Sequence, residues 1–67
     1  MNPEELVLTV ARLGEEGLTQ QGIADELGLS PSQLRYQLLK AGGYQWTAEN
    51  RVKRPDGTDV LRETAAA

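Results

Sequence analysis

The side chains able to do chemistry in this chain are hydroxyls, amides, phenols, carboxylates and cations, because the sequence contains no cysteine and no histidine. Thiol nucleophiles, imidazole acid–base catalysis and His/Cys metal sites are therefore excluded. The remaining carboxylates and hydroxyls need a concave pocket to become catalytic, and 67 residues can hardly build one. The expectation is a protein that is not an enzyme and takes no metal, cofactor or small-molecule ligand. What stands out instead is a recognition set: Ser32, Gln33, Arg35, Tyr36, Gln37 and Lys40 fall within nine residues. Hydroxyl, amide, phenol, guanidinium and ammonium groups together can bond both to flat polar edges and to anionic oxygens.

Charge is distributed in the same sense. Residues 1–29 carry Glu4, Glu5, Glu15, Glu16, Asp25 and Glu26 against Arg12, a net −5. Residues 30–54 carry Arg35, Lys40, Arg51, Lys53 and Arg54 against Glu49, a net +4, and residues 55–67 return to −2. The overall charge of −3 thus hides a basic middle, which reads either as a solvated face or as a footprint for a polyanion. The longest strictly apolar run, Leu6-Val7-Leu8, is far short of a membrane span or a signal segment, and the acidic start is the reverse of a signal's basic one. The expected location is cytoplasmic and nucleoid-associated, with no membrane partner.

Three helices must position these residues. Pro3 suits a first helical position, and Glu4 and Glu5 suit the positive end of a helix dipole. Leu6, Val7, Val10 and Leu13 recur at helical spacing, and Gly14 and Gly17 predict the end, giving a helix over about 3–14. Leu8 and Ala11 lie off the centre of that stripe. Thr19 predicts an N-cap for a second helix over about 19–27, with Ile23, Ala24 and Leu27 inward. Gly28 supplies a left-handed stop, Leu29 an apolar anchor, and Ser30-Pro31 a cap and first turn for a third helix over about 31–41. Leu34, Leu38 and Ala41 form its buried stripe and Gly42-Gly43 its end.

The stretch from Gln20 through Leu38 resembles a bacterial helix-turn-helix: Ala24 stands where the family has a small residue at the helix contact, Gly28 where it turns, and Leu29 where an aliphatic residue follows. The continuation Leu34-Arg35-Tyr36-Gln37-Leu38-Leu39-Lys40-Ala41-Gly42 resembles the recognition helices of the resolvase/invertase and inversion-stimulation-factor (homeodomain-like) type. The resemblance spans about residues 18–43. It implies a mainly α fold, a three-helix helix-turn-helix domain, and double-stranded DNA as partner.

With Leu34 set inward, a turn of about 100° per residue puts Ser32, Gln33, Tyr36 and Lys40 on the opposite face and Arg35 and Gln37 on its flanks. In a helix-turn-helix the N-terminal half of this helix enters the major groove, so Ser32, Gln33, Arg35 and Tyr36 are the candidates for base edges. Gln33 can pair bidentately with adenine, and Arg35 can read guanine or hold a phosphate. Lys40 and Gln37, with Thr19 and Gln20 at the start of the preceding helix, are candidates for the phosphate backbone.

Beyond the helices, Tyr44-Gln45-Trp46-Thr47 and Arg51-Val52-Lys53-Arg54 flank Ala48-Glu49-Asn50 and read as a short hairpin within about 44–61. Alternation sends Tyr44, Trp46 and Val52 to the core, where Trp46 supplies much of the apolar area, and Arg51 and Lys53 to the other face. Pro55-Asp56-Gly57-Thr58 is a second turn, which allows a hairpin of 51–54 with 59–62 or a three-stranded meander instead. Arg51, Lys53 and Arg54 then read either as the phosphate-contacting wing of a winged-helix-like domain or as edge charges that block aggregation. One domain over 1–62 is expected, with a frayed tail at 63–67.

The reading that joins these features is a small sequence-specific DNA-binding regulator or architectural factor, with residues 31–41 in the major groove. A homodimer on a palindrome is expected, because one module makes few phosphate contacts; its interface is sought at Leu8 and Ala11 or at Leu39. The alternative, favoured by the acidic first segment, is a helix-turn-helix adaptor that binds a protein such as a polymerase subunit or a phage or plasmid factor.

Overall fold

A computed structural model describes residues 2–61. Helix α1 runs Pro3–Glu15, α2 Gln20–Glu26 and α3 Pro31–Gly42; strands β1 (Gln45–Trp46) and β2 (Val52–Lys53) follow. The protein is mainly helical, with a small two-strand antiparallel sheet. Each helix differs from its expected span by a residue at one or both ends. The expected tail, 63–67, lies outside the described residues.

The helix starts share one local design. In α1 the Asn2 side chain accepts the Glu5 backbone N–H at 2.8 Å while the Glu5 carboxylate accepts the Asn2 N–H at 3.3 Å. In α3, Ser30 Oγ accepts the Gln33 N–H at 3.2 Å and Gln33 Oε1 accepts the Ser30 N–H at 2.9 Å. Each is a reciprocal capping box with proline behind the cap, satisfying donors that a helix start leaves unpaired. Thr19 caps α2 through Gly22 N–H at 3.0 Å.

The helix ends share another. At the α2–α3 turn, Gly28 adopts φ +71°, its N–H bonds Asp25 O at 3.1 Å, and Leu29 N–H bonds Ala24 O at 2.9 Å. This is the double closure of a Schellman motif, and Leu29 packs against the core behind it. The same pattern closes α1, with Gly17 bonded to Gly14 O and Leu18 to Leu13 O.

All three helices touch one another around a core of Val7, Val10, Ala11, Ile23, Ala24, Leu34 and Leu38. Ala11, expected off the stripe and open to a partner, is 2% exposed, because α1 turns Val7, Val10 and Ala11 inward together and leaves Leu6 and Leu13 half-buried at the sides. Gly14, expected at the helix end, is inside it. A Cβ there would collide with the backbone carbonyl of Asn50.

The sheet lies over the open side of this layer. Trp46 pairs with Val52 and Gln45 with Lys53, and Trp46 and Val52 are both buried. The chain then turns at 55–58 and returns: Lys53 bridges to Asp59, and Val60 N–H bonds Val52 O at 3.1 Å. Both candidate pairings therefore occur, as a meander whose third segment is a single bridge, and Val60 joins Trp46 and Val52 in the core. In the second turn the Thr58 backbone N–H and hydroxyl bond the Asp56 carboxylate at 2.9 and 2.7 Å. Both bonds, the backbone one first, hold its pKa below the ordinary aspartate value. Their stabilisation is present at neutral pH and is lost as pH falls through that lowered value.

Two glycines predict losses of different physical origin. Gly14→Ala gains about 1 kcal/mol of helix propensity but forces a clash with backbone that cannot rotate away, an overpacking cost of about 1–3 kcal/mol; net destabilisation is expected in denaturant unfolding. Nothing lies within 4 Å of a Cβ at Gly28, so Gly28→Val pays only backbone strain of about 1–2 kcal/mol, and Gly28→Asn less. A Gly14→Ala protein as stable as the parent would remove the proposed helix–loop contact.

Candidate nucleic-acid interface

Ser32, Gln33, Arg35, Tyr36, Gln37 and Lys40 are all exposed on α3, with Arg35 on the flank toward Trp46 and Gln37 on the flank toward Leu6 of α1, and the buried Leu34 and Leu38 on the inner face. Helical periodicity alone dictates that separation, and no aspartate or glutamate occurs anywhere in α3. The acidic residues sit elsewhere: Glu4, Glu5 and Glu15 on α1, Asp25 and Glu26 at the end of α2. Tyr36 is 59% exposed and Leu39 61%, and the Lys40 ammonium sits 5.9 Å from the centre of the Tyr36 ring, within range of a cation–π contact.

Two of the expected base contacts are already engaged. Gln33 spends its amide oxygen on the Ser30 N–H in the capping box, so bidentate pairing with adenine, which needs both amide atoms, requires that side chain to leave the cap. Arg35 donates from Nη2 to Gln20 Oε1 at 3.1 Å, and its guanidinium lies 5.9 Å from the centre of the Trp46 ring. Gln20 in turn donates from Nε2 to the Thr47 carbonyl at 3.0 Å. Thr19 accepts the Gly22 N–H, which leaves its hydroxyl proton able to donate.

The chain matches no family model, no curated protein and no solved structure.

The basic run after the helices is not the row of outward cations expected of a wing. Arg54 turns back over the second turn and donates to Thr58 Oγ1 at 3.2 Å, Asp59 O at 2.9 Å and Val60 O at 3.4 Å. It is a strap for the returning segment, because the turn at 55–58 delivers three acceptors to its fork, and three of its five N–H donors are thereby taken. Arg51 lies 3.5 Å from Glu15 and 4.0 Å from Asp59, so its charge is met by two carboxylates. Lys53 is half-buried on β2 opposite Gln45.

Between α3 and β1 runs an open groove of about 510 Å³ walled by Arg35, Tyr36, Leu39, Tyr44 and Trp46. Trp46 itself is 8% exposed, with its indole N–H unpaired among the described residues. Asn50 is the residue whose role is least visible in the composition. It adopts φ +63°, a left-handed conformation that asparagine tolerates, and its side chain donates to Leu18 O at 3.0 Å. Among the described residues no cluster of His, Cys, Asp and Glu could hold a metal ion, and no helix is long and apolar enough to cross a membrane.

These placements separate the cations by job. Arg54→Ala removes three hydrogen bonds and is expected to cost about 1–3 kcal/mol in thermal or denaturant unfolding. Arg54→Lys should recover little, since an ammonium cannot span three acceptors as a planar fork does. Lys40→Ala should stay within about 0.5 kcal/mol of the parent. Equal stability for Arg54→Ala and the parent would return Arg54 to the surface.

Proposed function

We propose that this chain is a small sequence-specific DNA-binding protein in which α2, the Gly28 turn and α3 act as a helix-turn-helix, with α3 in the major groove. The observation that carries the reading is the exposed face of α3: hydroxyl, amide, phenol, guanidinium and ammonium groups with no carboxylate, on a helix whose other face anchors the core. Such a face can approach a polyanion without repulsion and offers groups matched to base edges. Thr19, whose hydroxyl proton is not used in capping α2, is a candidate for phosphate. The sheet serves chiefly as a brace through Trp46 and Val52, with Lys53 its remaining candidate for the backbone. Because the phosphate-contacting set is small, a homodimer on a palindromic site is part of the proposal, with Leu39 and Leu8 (61% and 38% exposed) as its apolar contacts.

One observation favours a second reading. Leu39 and Tyr36 stand exposed at the edge of the groove beside Tyr44 and Trp46, as expected of an adaptor that takes a protein partner.

Selection from random duplex DNA at low salt separates the two. The expected result is an enriched palindrome, with a log–log salt slope of about −5 for roughly three phosphate contacts on each of two modules, reduced by about 2 when both copies carry Lys40→Ala. No enrichment and no duplex affinity at any salt, with a partner lost on Leu39→Ala, would overturn the DNA reading in favour of the adaptor.

A further inference from the structure

We infer that Arg35 reads a guanine and that Gln20, from the neighbouring helix, is the residue that holds it in reading position. The inference rests on the DNA reading of α3 and goes beyond it by naming the base and the device that selects it.

Arg35 is the fifth residue of α3, in the half of the helix that approaches base edges on that reading. It is the one cation of α3 tied to another element. Its Nη2 donates to Gln20 Oε1 at 3.1 Å, and its Cζ lies over the Trp46 ring, 5.9 Å from the ring centre. Gln20 cannot swing freely to follow it, because the other half of the same amide donates to the Thr47 carbonyl at 3.0 Å. A chain of contacts thus runs from the loop after β1, through α2, to the side chain of α3.

The restraint, together with the place of Arg35 in the N-terminal half of α3, favours base reading. A phosphate can also be held bidentately by the planar fork, but a mobile point charge such as an ammonium serves it too. Bidentate pairing to guanine O6 and N7 requires the plane to be fixed. The Gln20 bond uses one of the five guanidinium N–H groups, and the contact with the Trp46 face uses none, so a pair of donors remains for the base. Holding the fork before binding also removes part of the ordering cost that a free arginine would meet on the DNA. Gln20 acts here through Arg35 and need not touch the base.

The test is base selection and quantitative binding with the parent, Arg35→Lys, Gln20→Ala and Gln20→Met, each checked by thermal melting. The methionine keeps the length of Gln20 without its acceptor. The expected result is a guanine in the parent's half-site. Arg35→Lys should lose about tenfold or more of the discrimination at that one base pair. Both Gln20 variants should lose severalfold at the same base pair, while affinity for unrelated duplex stays within about twofold. A uniform loss on all sequences for Arg35→Lys would make Arg35 a phosphate contact and overturn the inference while leaving the DNA reading standing. Unchanged guanine preference in folded Gln20→Ala and Gln20→Met, or an equal loss on specific and unrelated duplex, would overturn the positioning role. Absence of DNA binding by the parent is a different failure, that of the DNA reading itself, and is seen before any variant is compared.

Discussion

The carbonyl of Asn50 rests against α1 at Gly14, where the helix has no side chain. That close approach sets the position of everything after α3. Asn50 also ties to Leu18 O, and Gln20 ties to Thr47 O, so the loop at 47–51 is fastened to both helices that flank the first turn. The sheet is thereby set down with Trp46 and Val52 facing the helical layer. Without it, the helices would leave Leu34, Leu38 and Val10 partly uncovered in a chain with no disulfide or His/Cys metal site to compensate. Domains of this size bury only about 60% of their unfolded surface, so three more core side chains, Trp46, Val52 and Val60, are a large share of the total.

The helices depend on their ends for a related reason. Isolated helices shorter than about 12–15 residues are marginal in water, and α2 has seven. It persists because Thr19 caps one end, the Gly28-Leu29 closure satisfies the other, and Ile23 and Ala24 are fully buried between. The same closure fixes the angle at which α3 leaves, since Leu29 is held in the core while Ser30 starts the next capping box. Local chemistry at four residues, 27–30, therefore sets the orientation of the face proposed to meet DNA.

These local devices are what a sequence displays. Pro3, Thr19, Gly28, Ser30 and Pro31 have fixed roles in backbone geometry, and the 3.6-residue period separates Leu34 and Leu38 from Ser32, Tyr36 and Lys40 without knowledge of the rest. Even the capping boxes are readable as Asn2-Pro3-Glu4-Glu5 and Ser30-Pro31-Ser32-Gln33, although Gln33 looks at first like a side chain with nothing else to do. The contacts of Arg54, Arg51 and Gln20 are of another kind. Their partners lie four to 36 residues away and come within reach only once both turns are formed, so charge alone reads equally as a wing or as edge protection. Ala11 was hidden for a similar reason: an alanine is buried or exposed according to a rotation of α1 that depends on where α3 and the sheet settle.

The resulting electrostatics bear on how such a molecule would discriminate. Arg51 is exposed and so are its carboxylate neighbours in part, which makes the pairing worth less than about 1 kcal/mol in stability, yet it cancels a cation close to the proposed interface. Arg54 is directed into backbone carbonyls. With a net charge of −3 and screening over about 8 Å at physiological salt, little long-range attraction to a duplex remains, and among the described residues the positive character of the proposed interface comes from Arg35, Lys40 and Lys53, with Arg12 apart on α1. On the proposed reading this shifts the balance from general phosphate attraction, which holds a protein on any sequence, to oriented donors on α3 that distinguish one sequence from another. A weakly attracted module with a fixed guanidinium rejects wrong sites well and holds right ones briefly. Two such modules on one palindrome would supply the missing residence time, and the exposed Leu39 at the groove edge would give a second copy an apolar place to meet the first.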